Sequence, residues 1–463
     1  MQNKPDIYEI LERAHKGEYC TAKDWDIKKI NGTIRKVLKE YNLEHVCDVN
    51  NPINTDYALA DRFYQAGFDL ALRLGFWVED TERIIAVSQE ELENALKFAP
   101  AQVFVGEGKD GTWIKSRTPG DASYPCQQAC SLGITVSEDI YMQLVTGIAA
   151  EREVDILEAG SLTTVRGHEV LSGTPWETLM GYVHGQMQRE ARRRAGRPGM
   201  GGIGSISATT EFGQFGAYGT PGGFLPTDLA LILFPSEMKI DYRTLNKVVH
   251  TLNMGGMVKA DSPAMIGGMP GSPEGAVISN VACSILSYAI LQNHVGGGEI
   301  YDVRYLANVN REGLWALGMV TQALSRNTHI LLHNISNDVS GPCTKTLLYE
   351  IAAGQATLAS CGSSVSTGPR TAGGKLNDYI TPLECRFTAE VTHKASGMDP
   401  KDVNEVVKKL LPLYEDNIKT PNLGKPYQKA YDVATGKPTD EWMEIYDTVK
   451  KEVREMGIPL DNY

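Results

Sequence analysis

The chain has 463 residues with 45 Lys+Arg against 57 Asp+Glu, a formal net charge of −12. Hydrophobic residues at 42% and charged residues at 22% exclude a disordered or collagen-like chain, and the acidic balance argues against nucleic acid, whose phosphates need a basic surface. No basic run opens onto an apolar stretch and no window is apolar enough to span a bilayer, so a cytoplasmic protein without a signal or membrane span is expected.

The first hundred residues read as helices. Ile7, Ile10, Leu11 and Ala14 form one apolar stripe at the 3.6 period. Thr21 with Asp24 is a loose start for a second helix that would bury Trp25, Ile27 and Ile30. Ser88 with Glu91 is a capping box for another, closed by Pro100. From residue 101 short apolar runs alternate with helical stretches. The expected strands are Gln102–Val105, Val154–Glu158, Gly202–Ser207, Leu229–Phe234, Met257–Ala260, Tyr301–Leu306, His329–Ile335 and Ser360–Ser366. Between them lie helical patterns at Pro175–Arg192, Ser272–Gln292, Glu312–Leu324 and Thr344–Leu358. Eight strands alternating with helices predict an α/β fold of the (β/α)8 TIM-barrel type. Helices return near the end, one entered at Asp399-Pro400 and one from Thr439 through Trp442, Tyr446, Val449 and Val453. The expected organisation is a helical layer over 1–100, a barrel over 101–398 and additional C-terminal helices over 399–463.

Eight cysteines (Cys20, Cys47, Cys126, Cys130, Cys283, Cys343, Cys361 and Cys385) without a CxxC pair read as reduced, buried thiols. Cys126 and Cys130 could share a helical face, but no histidine stands near them and no metal is expected. His329 and His333 are also four apart, in a run that reads as a buried strand without a zinc-protease glutamate. His333 lies near the strand's C-terminal end, where barrel chemistry is assembled. Gly199-Met200-Gly201-Gly202-Ile203-Gly204 satisfies G-x-G-x-x-G, yet helix precedes it and strand follows, the reverse of a dinucleotide fingerprint. Close backbone approach at a strand entrance is the better reading of these glycines. Glu211 to Gly219 holds three aromatics (Phe212, Phe215, Tyr218) among three glycines, too glycine-rich for a stable helix. It reads either as a loop packed on the barrel rim or as a mobile aromatic lid over the mouth.

Arg197-Pro198-Gly199-Met200-Gly201 and Gly341-Pro342-Cys343-Thr344, with the segments Gly17–Asp26, Ser236–Asp241, Tyr431–Val433 and Pro438–Glu441, give the chain a likeness that runs nearly end to end. In these it resembles the monomethylamine:corrinoid methyltransferases. The resemblance implies a TIM barrel, a homo-oligomer (hexameric in the family) and methyl transfer to the Co(I) corrinoid, a cobalamin, of a small partner protein. It also implies pyrrolysine where this sequence has Ile203, and pocket groups where it has Leu231, Asp261, Ile335 and Asn337. Isoleucine has no electrophile, so monomethylamine is not the expected substrate.

The expectation is therefore a pyrrolysine-independent methyltransferase acting on a methylated amine whose nitrogen is already positive, a quaternary ammonium or a betaine-like compound. Asp261, His333 and Asn337 would form the catalytic set. Asp261 would counter the substrate cation or pass a proton, while His333 and Asn337 orient the substrate. Ile203, Glu211, Phe212, Phe215, Tyr218, Leu231 and Ile335 would line the substrate site, with ring faces holding a cation. The corrinoid would come with the partner, since no D-x-H-x-x-G signature is present. A barrel that binds the corrinoid protein without catalysis, or one of unrelated chemistry, is the alternative.

Overall fold

Eight short runs rich in β-branched and small residues pair side by side, all parallel, and close on themselves. The computed structural model describes residues 5–129, 133–204, 209–219 and 221–461. The barrel staves, in chain order, are β1 (Cys126–Ala129), β2 (Ile156–Leu157), β3 (Gly201–Gly204), β4 (Leu229–Leu233), β5 (Met257–Ile266), β6 (Val295–Asp302), β7 (Leu332–Ile335) and β8 (Val365–Gly368). Each pairs with its sequence neighbours and β8 pairs with β1, so the sheet has no edge. The fold is an α/β TIM barrel.

The pairings fix what the interior contains. Followed once round, the register carries the stagger of a (β/α)8 barrel, in which alternate staves contribute to each interior layer. The floor is apolar: Cys126, Met257 and Leu331 lie lowest, with Ile156, Leu229, Val295 and Val365 above them. The next layer, from the odd-numbered staves, is Gln128, Ile203, Lys259 and His333. Above it the even-numbered staves bring Leu231, Gly297, Thr367 and Glu158, the last just beyond the end of β2. Asp261 and Ile335 follow, nearer the C-terminal mouth. The interior thus turns from apolar to polar at the level of Ile203.

A β-hairpin of Gln102–Val105 and Thr112–Lys115 closes the other end. Val105 and Ile114 pack into the floor cluster. The Gly106 and Glu107 N–H groups donate to the carbonyls of Thr227 (2.9 Å) and Gly199 (2.7 Å). The glycines of the G-x-G-x-x-G run serve this contact. A Cβ on Gly199 would stand 2.2 Å from the Glu107 carbonyl oxygen, and one on Gly201 2.6 Å from Val105 Cγ1. Gln102–Val105 is therefore not a barrel stave, as the sequence suggested, but part of the plug. The stave the sequence missed is β1, so Cys126 sits on a strand rather than a helix; Cys130 lies outside the described residues, as does Ser205–Ser207 of the expected third strand.

Helices surround the barrel. Pro273–Ile290 is buried along almost its whole length because Tyr57–Leu74 of the N-terminal region packs on its outer side. Gly67 permits that approach, since a Cβ there would lie 2.4 Å from Val281 Cγ1. Ile7–Lys16 and Gln89–Lys97 begin with complete capping boxes, from Asp6 with Glu9 and from Ser88 with Glu91. Ile10 and Ala14 are buried, but Leu11 is exposed. The helix begun at Thr21 continues as a π-helix over Trp25–Ile30, which turns Ile27 out to solvent while Trp25 and Ile30 stay buried. The C-terminal helices Pro400–Leu410 and Asp440–Met456 bury Val403, Val406, Val407, Leu410, Trp442, Tyr446, Val449 and Val453. No helix of the described residues is long and apolar enough to cross a membrane.

Candidate active site

Barrel strands end at the C-terminal face, and a cavity of about 470 Å³ opens there. Leu231, Leu233, Asp261, Ser262, Glu299 and Arg370 are on its wall, with Phe234, Tyr301, Arg243 and Lys247 among the other lining side chains.

Asp261 is the centre of the buried polar group below that opening. Lys259, two residues earlier on β5, projects to the same side of the strand and donates from Nζ to Asp261 Oδ2. His333 Nδ1 lies 3.1 Å from the same oxygen. The two come from β5 and β7, and β6 places Gly297 in register between them, without a side chain to block the approach. The other imidazole nitrogen, Nε2, is 2.7 Å from Thr367 Oγ1 on β8. On the next stave Gln128 donates from Nε2 to Glu158 Oε2. All six side chains are almost wholly buried.

Burial and charge pull these groups in opposite directions. Burial would raise the acid of Asp261, but His333 and Lys259 outweigh it and hold the carboxyl well below the usual range. Burial keeps His333 low, against the pull of Asp261. Glu158 has weaker compensation from Lys259 and Gln128, and burial pushes its carboxyl up to about 8. Burial likewise pushes Glu299 up to about 7 against the opposing charge of Arg370. Three oxygen atoms in these layers, Asp261 Oδ1, Glu158 Oε1 and Gln128 Oε1, have no hydrogen-bond partner among the described residues. A buried acceptor without a donor is costly, and an N–H-bearing guest would satisfy it.

The structure brings together part of the residue set expected from sequence. Asp261 and His333 meet, and Asp261 and Leu231 reach the cavity wall. Ile203 faces inward on β3 but one layer beneath Leu231, fully buried and not on the wall. Ile335 points in one step above the Thr367 layer. Asn337 is in the segment after β7, buried, with its N–H donating to Asn308 Oδ1 at 2.8 Å and its amide side chain without a partner among the described residues.

The expected loop or lid is instead a helix, Glu211–Ala217, capped by Thr210. Its glycines are used for packing: Cβ atoms on Gly213's neighbour Gly181 and on Gly216 would lie within 2.0 Å of backbone oxygens across the contact between this helix and Pro175–Arg194. That contact outweighs the poor helix propensity of the segment. Phe212 and Phe215 consequently line a separate surface cleft with Leu179 and Tyr182. Glu211 accepts from Asn246 Nδ2 at 2.9 Å, away from the cavity. Tyr218 is buried, stacked on Phe224, and donates to the carbonyls of Gly204 and Leu229 at the join of β3 and β4. None of the four is on the cavity wall. His329 accepts no partnership with His333 either: its Nε2 is 3.0 Å from the Ala99 carbonyl on the outer side.

The chain matches the family described as Monomethylamine methyltransferase MtmB over residues 5–458. Among curated relatives it is 30% identical over 455 residues to Monomethylamine methyltransferase MtmB of Methanosarcina mazei, and 31% identical over 456 residues to Monomethylamine methyltransferase MtmB3 of Methanosarcina barkeri. Each alignment covers 98% of both chains. It belongs to the monomethylamine methyltransferase family. The crystal structure of the Methanosarcina barkeri monomethylamine methyltransferase superposes with a TM-score of 0.94 at 29% identity over 99% of both chains. A crystal structure of a hydroxylamine complex of MtmB gives 0.95, at the same identity and coverage. The chain is thus a methyltransferase by family, built on the barrel of these relatives.

Sequence reasoning missed the residues that give this methyltransferase barrel its polar interior: Gln128, Glu158, Lys259, Glu299, Thr367 and Arg370. One signal was present. In Met257-Val258-Lys259-Ala260-Asp261 the two charges fall on one face of an otherwise apolar strand, an alternation that burial on both faces of a barrel strand makes expensive unless the charges pair.

Proposed function

We propose that the protein transfers a methyl group from a small N-methylated ammonium compound to the corrinoid of a partner protein, without pyrrolysine. The resemblance implies pyrrolysine at the position of Ile203, and an aliphatic side chain there would offer no covalent capture of an amine. The substrate must then be held by non-covalent contacts alone and must carry its own positive nitrogen to leave as a neutral amine. The reduced corrinoid, brought by the partner to the C-terminal mouth, supplies the nucleophile that takes the methyl carbon.

The observation that carries this reading is the set of unsatisfied buried oxygens, Asp261 Oδ1, Glu158 Oε1 and Gln128 Oε1, beneath a cavity open at the mouth. A protonated N-methylammonium donates N–H to such acceptors. A quaternary nitrogen has none to give and would depend on ring faces. Among the described residues no aromatic side chain stands in the interior layers around Ile203, and Phe234 and Tyr301 border only the outer cavity. This favours a protonated amine over the quaternary ammonium or betaine-like compound expected from the sequence. Asp261 would oppose the charge of the nitrogen and Glu158 would hold a proton beside it. His333, fixed by Thr367, would keep Asp261 in place, and Asn337 would orient the substrate. Assembly as a homo-oligomer belongs to the same proposal.

The test is methyl transfer measured by absorbance with the purified chain, reduced corrinoid protein, and mono-, di-, tri- and tetramethylammonium and N-methylated amino acids. Methylation of the corrinoid by compounds with an N–H is the expected result. Turnover of quaternary compounds alone would overturn the protonated form, and turnover of monomethylamine alone would show that Ile203 lacks the consequence assigned to it. Partner binding without transfer from any donor would favour the non-catalytic alternative.

A further inference from the structure

Arg370 follows the C-terminal end of β8 and lines the cavity wall. A guanidinium presents five N–H donors in a planar fork, yet this one uses almost none of them. Its only side-chain hydrogen bond among the described residues is a long one, Nη1 to the Leu306 carbonyl at 3.4 Å. It lies over the Tyr301 ring at 5.7 Å and makes no ion pair there. Of the other basic side chains on the wall, Arg243 pairs with Asp241 at 2.6 Å, while Lys247 has no ion pair among the described residues and is the competing cation. Glu299 and Asp338 are the carboxyls nearest in charge to Arg370, and burial suppresses the ionisation of both. Neither carboxyl forms an ion pair with the Arg370 side chain among the described residues.

Across the cavity from β8, the β5 side carries Asp261 with its free Oδ1. One wall thus offers a cation without an ion pair and the other a carboxylate oxygen, Asp261 Oδ1, without a donor among the described residues. We infer that Arg370 binds a carboxylate on the substrate, so that the methyl donor is a zwitterionic N-methylated amino acid and not a simple methylamine. The molecule would lie from wall to wall, carboxylate in the guanidinium fork and ammonium toward Asp261, which leaves an N-methyl group free to face the mouth. A planar bidentate pair of this kind is the geometry in which arginine outperforms lysine. This inference rests on the proposed methyl-donor reading and names its substrate class.

Binding can be tested without the corrinoid partner. Calorimetric titration of the full chain compares pairs that differ by a carboxylate: N,N-dimethylglycine against trimethylammonium, and N-methylglycine against dimethylammonium. The carboxylated member of each pair is expected to bind roughly 10- to 100-fold more tightly. Arg370→Gln is expected to remove that preference and Arg370→Lys to restore part of it. Equal affinity within both pairs overturns the inference, and this comparison needs no variant to fold. A preference that survives Arg370→Gln, or one that is lost in Lys247→Gln while Arg370→Gln keeps it, also overturns the role of Arg370. Carboxylate-dependent binding with no methylation of the corrinoid would leave Arg370's role standing and defeat the methyl-transfer reading. Methyl transfer from plain methylamines with equal binding would do the reverse.

Discussion

Lys259 and Asp261, two residues apart on one strand, are bonded to each other inside the barrel, and both are only 1% exposed. The pair lies on the boundary between an apolar floor and a polar upper interior. Its stability and its chemistry are therefore coupled, since each charge is tolerable only while the other remains.

Removing one partner exposes that dependence. Asp261→Asn leaves the Lys259 ammonium without a counter-ion and is expected to destabilise the fold by about 3–5 kcal/mol. Replacing both, with Lys259→Met and Asp261→Leu, is expected to recover most of that loss and to abolish substrate binding. Urea unfolding checks both statements; an Asp261→Asn protein as stable as the parent would contradict the pairing.

Stability is expected to fall as the pH rises from 5 to 8.5. Glu158 and Glu299, raised by burial to about 8 and about 7 from an ordinary 4.5, hold protons in the fold that the unfolded chain gives up. Their contribution is complete below about 4.5 and is lost as the pH passes through the raised values, with a limit of about 1.4 kcal/mol per pH unit for each group. Glu350 and Glu384, each pushed up to about 7 by burial, act in the same direction. Glu158→Gln removes the part of the slope at highest pH. Urea midpoints across this range measure it, and a curve that climbs toward pH 8 would refute it.

Ile203 is expected to act through volume alone. Ile203→Val costs about 0.5–1.5 kcal/mol and Ile203→Ala about 2–5 kcal/mol, because the floor cluster packs around it. Methyl transfer by folded Ile203→Val should match the parent. A large loss of turnover there, at unchanged stability, would assign this side chain a role in positioning the donor.

The aromatic helix is expected to be silent in substrate recognition. Phe212→Ala removes a ring that is 42% exposed beside a cleft separate from the cavity, so substrate affinity is unchanged. Tyr218→Phe, by contrast, leaves two strand carbonyls without their shared donor and costs about 1–3 kcal/mol of stability. Calorimetric binding and thermal unfolding of the two variants distinguish these outcomes.

How much of this was legible in the sequence depended on which signals are local. Capping residues at Ser88, Ser272, Asp399 and Thr439 placed their helices because a cap is satisfied within one turn. The barrel was legible because strands and helices alternate. Which four-residue runs became staves was not, since Gln102–Val105 and Cys126–Ala129 differ in what they pack against and not in any periodicity of their own. The Glu211–Ala217 helix was hidden for a related reason: its glycines disfavour helix locally and are repaid only by close contact with Pro175–Arg194. Asp261 and His333 could be chosen as residues near strand ends. Their meeting depends on Gly297 and on the barrel's stagger, neither of which is written in the neighbourhood of either residue.

The hairpin that plugs the floor has a consequence for timing. Among the described residues the chamber opens at the C-terminal mouth and is plugged at the other end, and on the proposed reading this imposes a queue: a small molecule bound at Asp261 would enter before a protein partner seated itself over the mouth. The demethylated amine would wait for that partner to depart. Past saturation, more partner would then slow the cycle instead of leaving it level, since each early re-docking traps either an empty chamber or a spent molecule.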